Sequence, residues 1–95
     1  MTRHVQKVVY RVFKGEVIAL LPGQTANFGN VVIYAHNGQH SEADSFITRA
    51  GRLATPVEYA PLHKELTTRM FVYDDCTLRV MKRIAHADLK KGWTR

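Results

Sequence analysis

The sequence predicts an α+β fold: a small, mostly antiparallel sheet in the order β-β-β-(β)-α-β with one helix packed on one face. Three observations lead there. Val- and aromatic-rich runs of strand length follow one another with only short turn signals between them. One later stretch has both a helix start signal and an apolar stripe at helical spacing. The length of 95 residues supplies one hydrophobic core and is too short for two independent ones. Residues 1–84 are therefore expected to form a single domain, followed by a flexible basic tail over 85–95.

Taken in order, His4 to Phe13 is a β-branched and aromatic run with Gln6, Lys7 and Arg11 interleaved, and Lys14-Gly15-Glu16 has the glycine of a hairpin loop. Val17 to Leu21 is continuously apolar and stops at Pro22-Gly23, which predicts a central strand buried on both faces. Gln24 to Asn30 reads as a polar loop that contains Phe28. Val31 to Ala35 is a third strand, closed by the turn signal Asn37-Gly38, so the first three strands should form an antiparallel meander. Phe46-Ile47-Thr48 is the candidate for a short fourth strand, and Arg49 to Leu53 has the small residues of a connecting loop.

A helix should begin at Thr55-Pro56-Val57-Glu58, where a hydroxyl caps, a proline occupies the first helical position and a carboxylate three residues on reaches back to the cap. Tyr59, Leu62, His63, Leu66 and Met70 then form one apolar stripe. Pro61 lies opposite the stripe and predicts either a separate first turn or an outward kink. His63 belongs to the stripe and is expected to be a core histidine with one hydrogen-bond partner. Asp74-Asp75 breaks the pattern. Thr77 to Ile84 is a last strand, with Leu78, Val80 and Ile84 on one face and Arg79, Met81 and Arg83 on the other. From Ala85 to Arg95 the sequence allows a helical turn but repeats no apolar pattern turn over turn, so this tail is expected to be mostly disordered, with Trp93 as the exception in it.

Composition narrows the function classes. With 45% hydrophobic and 23% charged residues the chain lies in the globular range. Its longest apolar run, Val17 to Leu21, is far below the roughly 20 residues that span a bilayer. No apolar segment follows the basic N-terminus as it would in an export signal. Cys76 stands alone, which excludes an intrachain disulfide. A cytoplasmic protein without membrane contact is expected, and no cofactor is implied. The net charge of +6 is uneven: residues 1–75 hold eight basic and seven acidic side chains, whereas 76–95 hold six basic and only Asp88. Arg79, Lys82, Arg83, Lys90 and Lys91 are accordingly the candidate nucleic-acid contacts, since each phosphate neutralised releases counterions. Against this stands the ordinary reading of a charge run as a solvated surface.

The segment Tyr34 to Asp44 concentrates the remaining polar chemistry. His36 and His40 could act as an acid–base pair with Asp44 orienting one imidazole, which would suit phosphodiester cleavage. The same three side chains could ligate a metal, although Asn37-Gly38 rules out a regular helix that would align the histidines. A third reading makes His36, Asn37, Gln39, His40 and Asp44 a structural or partner-binding loop, in which the polar side chains satisfy backbone groups. Binding is preferred, because no nucleophile or nuclease signature accompanies the histidines. Pro22 to Gly29 has glycines but lacks the Lys-Ser/Thr of a phosphate loop.

The segments Val17-Ile-Ala-Leu followed by proline, Tyr34-x-His36-x-Gly38-Gln39-His40-x-x-Ala43-Asp44, Ala54-Thr-Pro-x-Glu-Tyr59-x-x-Leu62 and Leu78 to Ile84 together resemble a group of small uncharacterised proteins encoded by phages, prophages and plasmids. The likeness covers roughly residues 8 to 84. It carries no activity, and what it implies is a setting in which small accessory factors engage and inhibit host protein complexes in the manner of anti-CRISPR proteins. Acidic DNA mimicry does not suit this basic chain. Two expectations follow: a non-enzymatic inhibitor of a host protein complex, and a basic nucleic-acid-binding regulator. A hydrolase or nuclease using His36 and His40 ranks behind both.

Asn at either histidine keeps shape and hydrogen bonding but cannot move a proton near neutral pH. A catalytic pair would lose about 100-fold or more in turnover with His36→Asn or His40→Asn. The binding-loop reading instead expects Ala to cost about 1–3 kcal/mol of partner affinity and Asn to restore part of it, in a binding assay with metal content measured alongside.

Overall fold

The computed structural model describes residues 4–35, 39–69 and 76–94. Strand β1 (His4–Phe13) turns through Lys14-Gly15 into β2 (Glu16–Leu21), with Phe13 opposite Glu16. Lys14 and Gly15 have φ of 52° and 78°. Positive φ at both central residues is what a two-residue turn needs to match the twist of its strands, and glycine supplies the second at no steric cost. After a short β3 (Ala26–Asn27) the chain returns as β4 (Asn30–Ala35) and continues as β5 (Gln39–Asp44), each antiparallel to its neighbour. The predicted meander is present, and Val17 to Leu21 is central: Ile18, Ala19, Leu20 and Leu21 are all buried.

The fourth strand lies earlier than expected. Phe46-Ile47-Thr48 is not a strand but part of a 3₁₀ turn, Ser45–Arg49, while the polar segment before it takes the sheet edge as β5. An edge strand with polar residues needs no apolar alternation, and its charged side chains oppose pairing with another chain. Ile47 instead turns inward from the 3₁₀ turn.

The far edge of β1 is shared by two strands. β6 (Arg52–Leu53) pairs antiparallel with Arg11 and Val12, and β7 (Cys76–Val80) pairs parallel with His4 to Val8. The sheet order is thus β5-β4-β2-β1-β6, with β7 beside β6 on the same edge of β1. Gly51 permits this arrangement, because a Cβ there would lie 2.0 Å from the Val12 carbonyl oxygen.

Helix α1 (Pro56–Arg69) starts where predicted, and both halves of its capping box form. The Thr55 hydroxyl accepts from the Glu58 N–H at 3.3 Å, and the Glu58 carboxylate accepts from the Thr55 N–H at 2.9 Å. Pro61 stands inside a continuous helix on its exposed side, one turn after the solvent-exposed Val57 whose carbonyl it deprives of a helical donor. Leu62 and Leu66 pack with Val8, Tyr10, Ala19, Leu21, Val32 and Tyr34. Met70 lies outside the described residues.

The other face is covered by the C-terminal segment, which corrects the expectation of a flexible tail over 85–95. β7 ends at Val80, four residues before the predicted end, and Met81 and Ile84 both pack on the second face. Helix α2 (His86–Gly92) follows and buries Leu89 among Val9, Ile18, Leu20, Val31 and Ile47. β8 (Trp93–Thr94) pairs parallel with β3. Gly92 makes the docking feasible, since a Cβ there would meet the Gln24 carbonyl oxygen at 2.0 Å. Lys7 Nζ reaches Asp88 at 3.0 Å and joins α2 to β1.

The first face therefore has one helix as cover, and the second has residues 81–94 together with the 3₁₀ turn. Leu89→Ala should lower stability by about 2–5 kcal/mol, as for a buried leucine elsewhere. Deleting residues 85–95 should cost more, because it also removes Trp93 and exposes the second face. Chemical denaturation of both variants checks this, and an unchanged midpoint for the deletion would show that the second face needs no cover.

Candidate functional site

The loop singled out in the sequence is only partly described. His36 and Asn37 lie outside the described residues. Gln39 and His40 open β5, opposite Ala35 and Tyr34, while Asp44 ends it opposite Asn30. Four residues of extended chain place His40 and Asp44 roughly 13 Å apart along the strand. The Asp44 carboxylate accepts the Phe46 N–H at 2.9 Å and caps the 3₁₀ turn. Among the described residues no three His, Cys, Asp or Glu side chains come together in a way that could hold a metal.

His63, expected as a core histidine with one hydrogen-bond partner, lies on the helix stripe and is half-buried. Its Nδ1 and the Tyr10 hydroxyl share a hydrogen bond of 2.7 Å, and the Tyr10 ring stacks on Tyr59 at 4.4 Å. Burial, then the neighbouring Tyr59, pushes the Tyr10 phenol well above its ordinary range, so it stays protonated at any physiological pH.

The basic side chains separate into spent and unspent ones. Arg52 forms a two-pronged pair with Glu58, at 2.8 and 2.6 Å, which ties β6 to the start of α1. Arg11 donates to the carbonyls of Ala50 and Gly51, and Lys7 is paired with Asp88, which Lys91 also approaches at 3.8 Å. Arg49, Arg79, Lys82, Arg83 and Lys90 are exposed and have no carboxylate partner among the described residues.

The predicted nucleic-acid residues do not form one stripe. Arg79 is exposed on β7, and Lys90 and Lys91 are exposed on α2. Lys82 and Arg83 part company where the chain crosses the end of the sheet. Lys82 lines a 340 Å³ cavity with Tyr10, Tyr59, Leu53 and Val80. Arg83 lines a 420 Å³ groove on the second face with Arg49, His86, Ser45 and Thr48, above Leu89. Among the described residues no carboxylate lines this groove. The Thr48 hydroxyl donates to the Ser45 carbonyl at 2.9 Å, so the groove's polar donors are the two guanidinium groups, the imidazole and Ser45.

Arg49 and His86 were not candidates from the sequence. They stand 37 positions apart and meet only because the 3₁₀ turn and α2 cover the same face. His86 also touches an aromatic file. Its ring meets Trp93 edge-on at 5.7 Å, and Trp93 meets Phe28 at 4.8 Å. The indole N–H donates to the Asn30 carbonyl at 2.7 Å, which fixes that ring, while Phe28 is 75% exposed.

Comparison with known proteins found no family model, no curated protein and no solved structure that matches this chain.

The Arg52–Glu58 pair yields a pH prediction. The Arg52 hydrogen bonds, then the Thr55 backbone N–H, draw the Glu58 carboxyl from its ordinary 4.5 down to about 2. A lowered folded-state value means that the stabilisation is fully present above the unfolded value and is lost as pH falls from about 4.5 to about 2. Glu58→Gln should flatten the stability profile within that window and leave its shape above it unchanged. NMR titration of the Glu58 side chain gives the value directly.

Proposed function

We propose that this chain is a non-enzymatic binding protein that holds a polyanion, most naturally nucleic acid, against the face lined by Arg49, Arg83 and His86. The observation that supports this reading is the groove itself: two guanidinium groups and an imidazole converge on a concave surface where, among the described residues, no carboxylate lines the groove or pairs with either arginine. Guanidinium forks suit phosphate oxygens geometrically as well as by charge, and a concave surface of one sign focuses the field. Lys90 on α2 adds to the same basic segment.

A second reading has one observation in its favour. Leu53 and Val80 are 40% and 41% exposed and flank the cavity that also holds Tyr59 and Lys82. Such a patch suits a protein partner, and it would serve a factor that engages and inhibits a host protein complex, the setting implied by the resemblance to phage and mobile-element proteins. The two readings use different surfaces, so they separate experimentally.

Binding of a labelled nucleic acid should weaken steeply with salt. Arg49→Ala and Arg83→Ala should each reduce affinity and lower the log–log salt slope by about 0.7–0.9, the loss of one phosphate contact. Lys82→Ala should change neither. A stoichiometric complex with a host protein that survives both arginine substitutions and is lost with Leu53→Ser would replace the first reading with the second.

A further inference from the structure

We infer that the polyanion is a single-stranded nucleic acid, held with a base stacked on Phe28 and its phosphates in the Arg49–Arg83–His86 groove. This rests on the polyanion reading and adds what the cations alone do not specify. A phenylalanine left 75% exposed loses most of the burial that normally accounts for its presence. Phe28 nevertheless has a fixed backing. Its ring leans on Trp93, whose indole is bonded to the Asn30 carbonyl and whose backbone pairs with Ala26. The close packing of Gly92 on Gln24 holds that strand pair in place. One side of the Phe28 ring is thus supported by protein and the remainder faces solvent.

The position of this platform is what joins it to the charge. Trp93 lies between Phe28 and His86, so the file of three rings runs from the exposed phenylalanine to the rim of the basic groove. A cationic track with an aromatic platform at its end is the combination by which proteins hold unpaired strands, since any base offers a π-face and every nucleotide a phosphate. A duplex offers the same phosphates but keeps its bases stacked internally, beyond the reach of a ring fixed on the protein surface. Single strands should therefore use both parts of the surface, and duplexes only the groove.

The test measures fluorescence anisotropy of a labelled oligothymidylate and of a duplex of the same length across a salt series. The wild-type chain should prefer the single strand. Phe28→Ala should weaken single-strand binding about 5- to 150-fold, the worth of one stacked base, while leaving the salt slope and duplex binding unchanged. Phe28→Tyr should retain most of the affinity. Trp93, the sole tryptophan, should change its fluorescence when the single strand binds and not when the duplex does. The inference is overturned if the duplex binds as tightly as the single strand, or if Phe28→Ala binds like the wild type. In either case salt-dependent binding sensitive to Arg49→Ala and Arg83→Ala would leave the polyanion reading standing. Absence of salt-dependent binding to either probe removes that reading and this inference together.

Discussion

A sheet whose central strands are apolar on both faces has to be covered twice, and this requirement shapes the rest of the molecule. β1 and β2 alternate Val8 and Tyr10 with Val9, and Ala19 and Leu21 with Ile18 and Leu20, all of them buried. Leaving either set in water would forfeit about 1.5–3 kcal/mol for each large side chain. A fourteen-residue helix with a satisfied capping box covers one set. The other set is left to a 3₁₀ turn and a seven-residue helix. Two such short elements cannot meet edge to edge over a twisted sheet. The gap between them is the groove, and its walls carry Arg49, the last residue of the 3₁₀ turn, His86, the first of the helix, and Arg83 from the segment that leads into it.

How closely these segments approach the sheet depends on residues with no side chain. Gly51 and Gly92 each bring backbone to within a distance that a Cβ would forbid. The first lets β6 reach β1, and the second lets the end of α2 settle on the loop after β2. Polar groups then fix what the glycines allow. Gln6, buried beneath that loop, donates to the Pro22 carbonyl at 2.9 Å and accepts from Gln24 at 3.3 Å. Glu42 accepts from the Asn27 N–H and the Asn30 side chain, which holds the β3 loop against β5 and keeps its carboxyl below the ordinary range. Phe28 sits in the loop between those anchors, so its exposure reflects a fixed position.

The parts of this fold that were legible in the sequence are those decided by local chemistry. Lys14-Gly15, the unbroken run Val17 to Leu21 and the Thr55-Pro56-x-Glu58 signal each state their structure within a few residues. The errors arose where a contact far away in sequence decides. Gln39 to Asp44 has the polarity of a loop and is a strand because β4 offers it an edge. Phe46 to Thr48 has the apolarity of a strand and is a turn because Ile47 needs only one inward position. The last eleven residues lack a repeating stripe, since a seven-residue helix needs a single anchor, Leu89, when a glycine and a tryptophan dock the residues that follow. Arg49 and His86 had no signal at all. The Asp44 carboxylate closes the 3₁₀ turn, a local contact that its place two residues before Phe46 permits.

The charge distribution shows the same dependence of local features on the path of the chain. Lys82 and Arg83 are adjacent in sequence, and a strand continuing to Ile84 would have put them on opposite faces by simple alternation. The chain instead leaves β1 at Val80, sends Met81 and Ile84 to the second core, and passes around the end of the sheet between them. Lys82 is left beside the stacked tyrosines of the first face and Arg83 beside Arg49 on the second. A net charge of +6 therefore does not act as one patch. Lys7 and Arg52 are held in ion pairs and Arg11 in backbone hydrogen bonds, which takes them out of the field that a ligand would meet. Of the exposed cations without a carboxylate partner among the described residues, Arg49 and Arg83 are the two that meet, where the cover of the second face is thinnest. The same shortness that leaves a groove there also leaves Phe28 and Trp93 at its border, so the apolar and cationic parts of the surface share one structural cause.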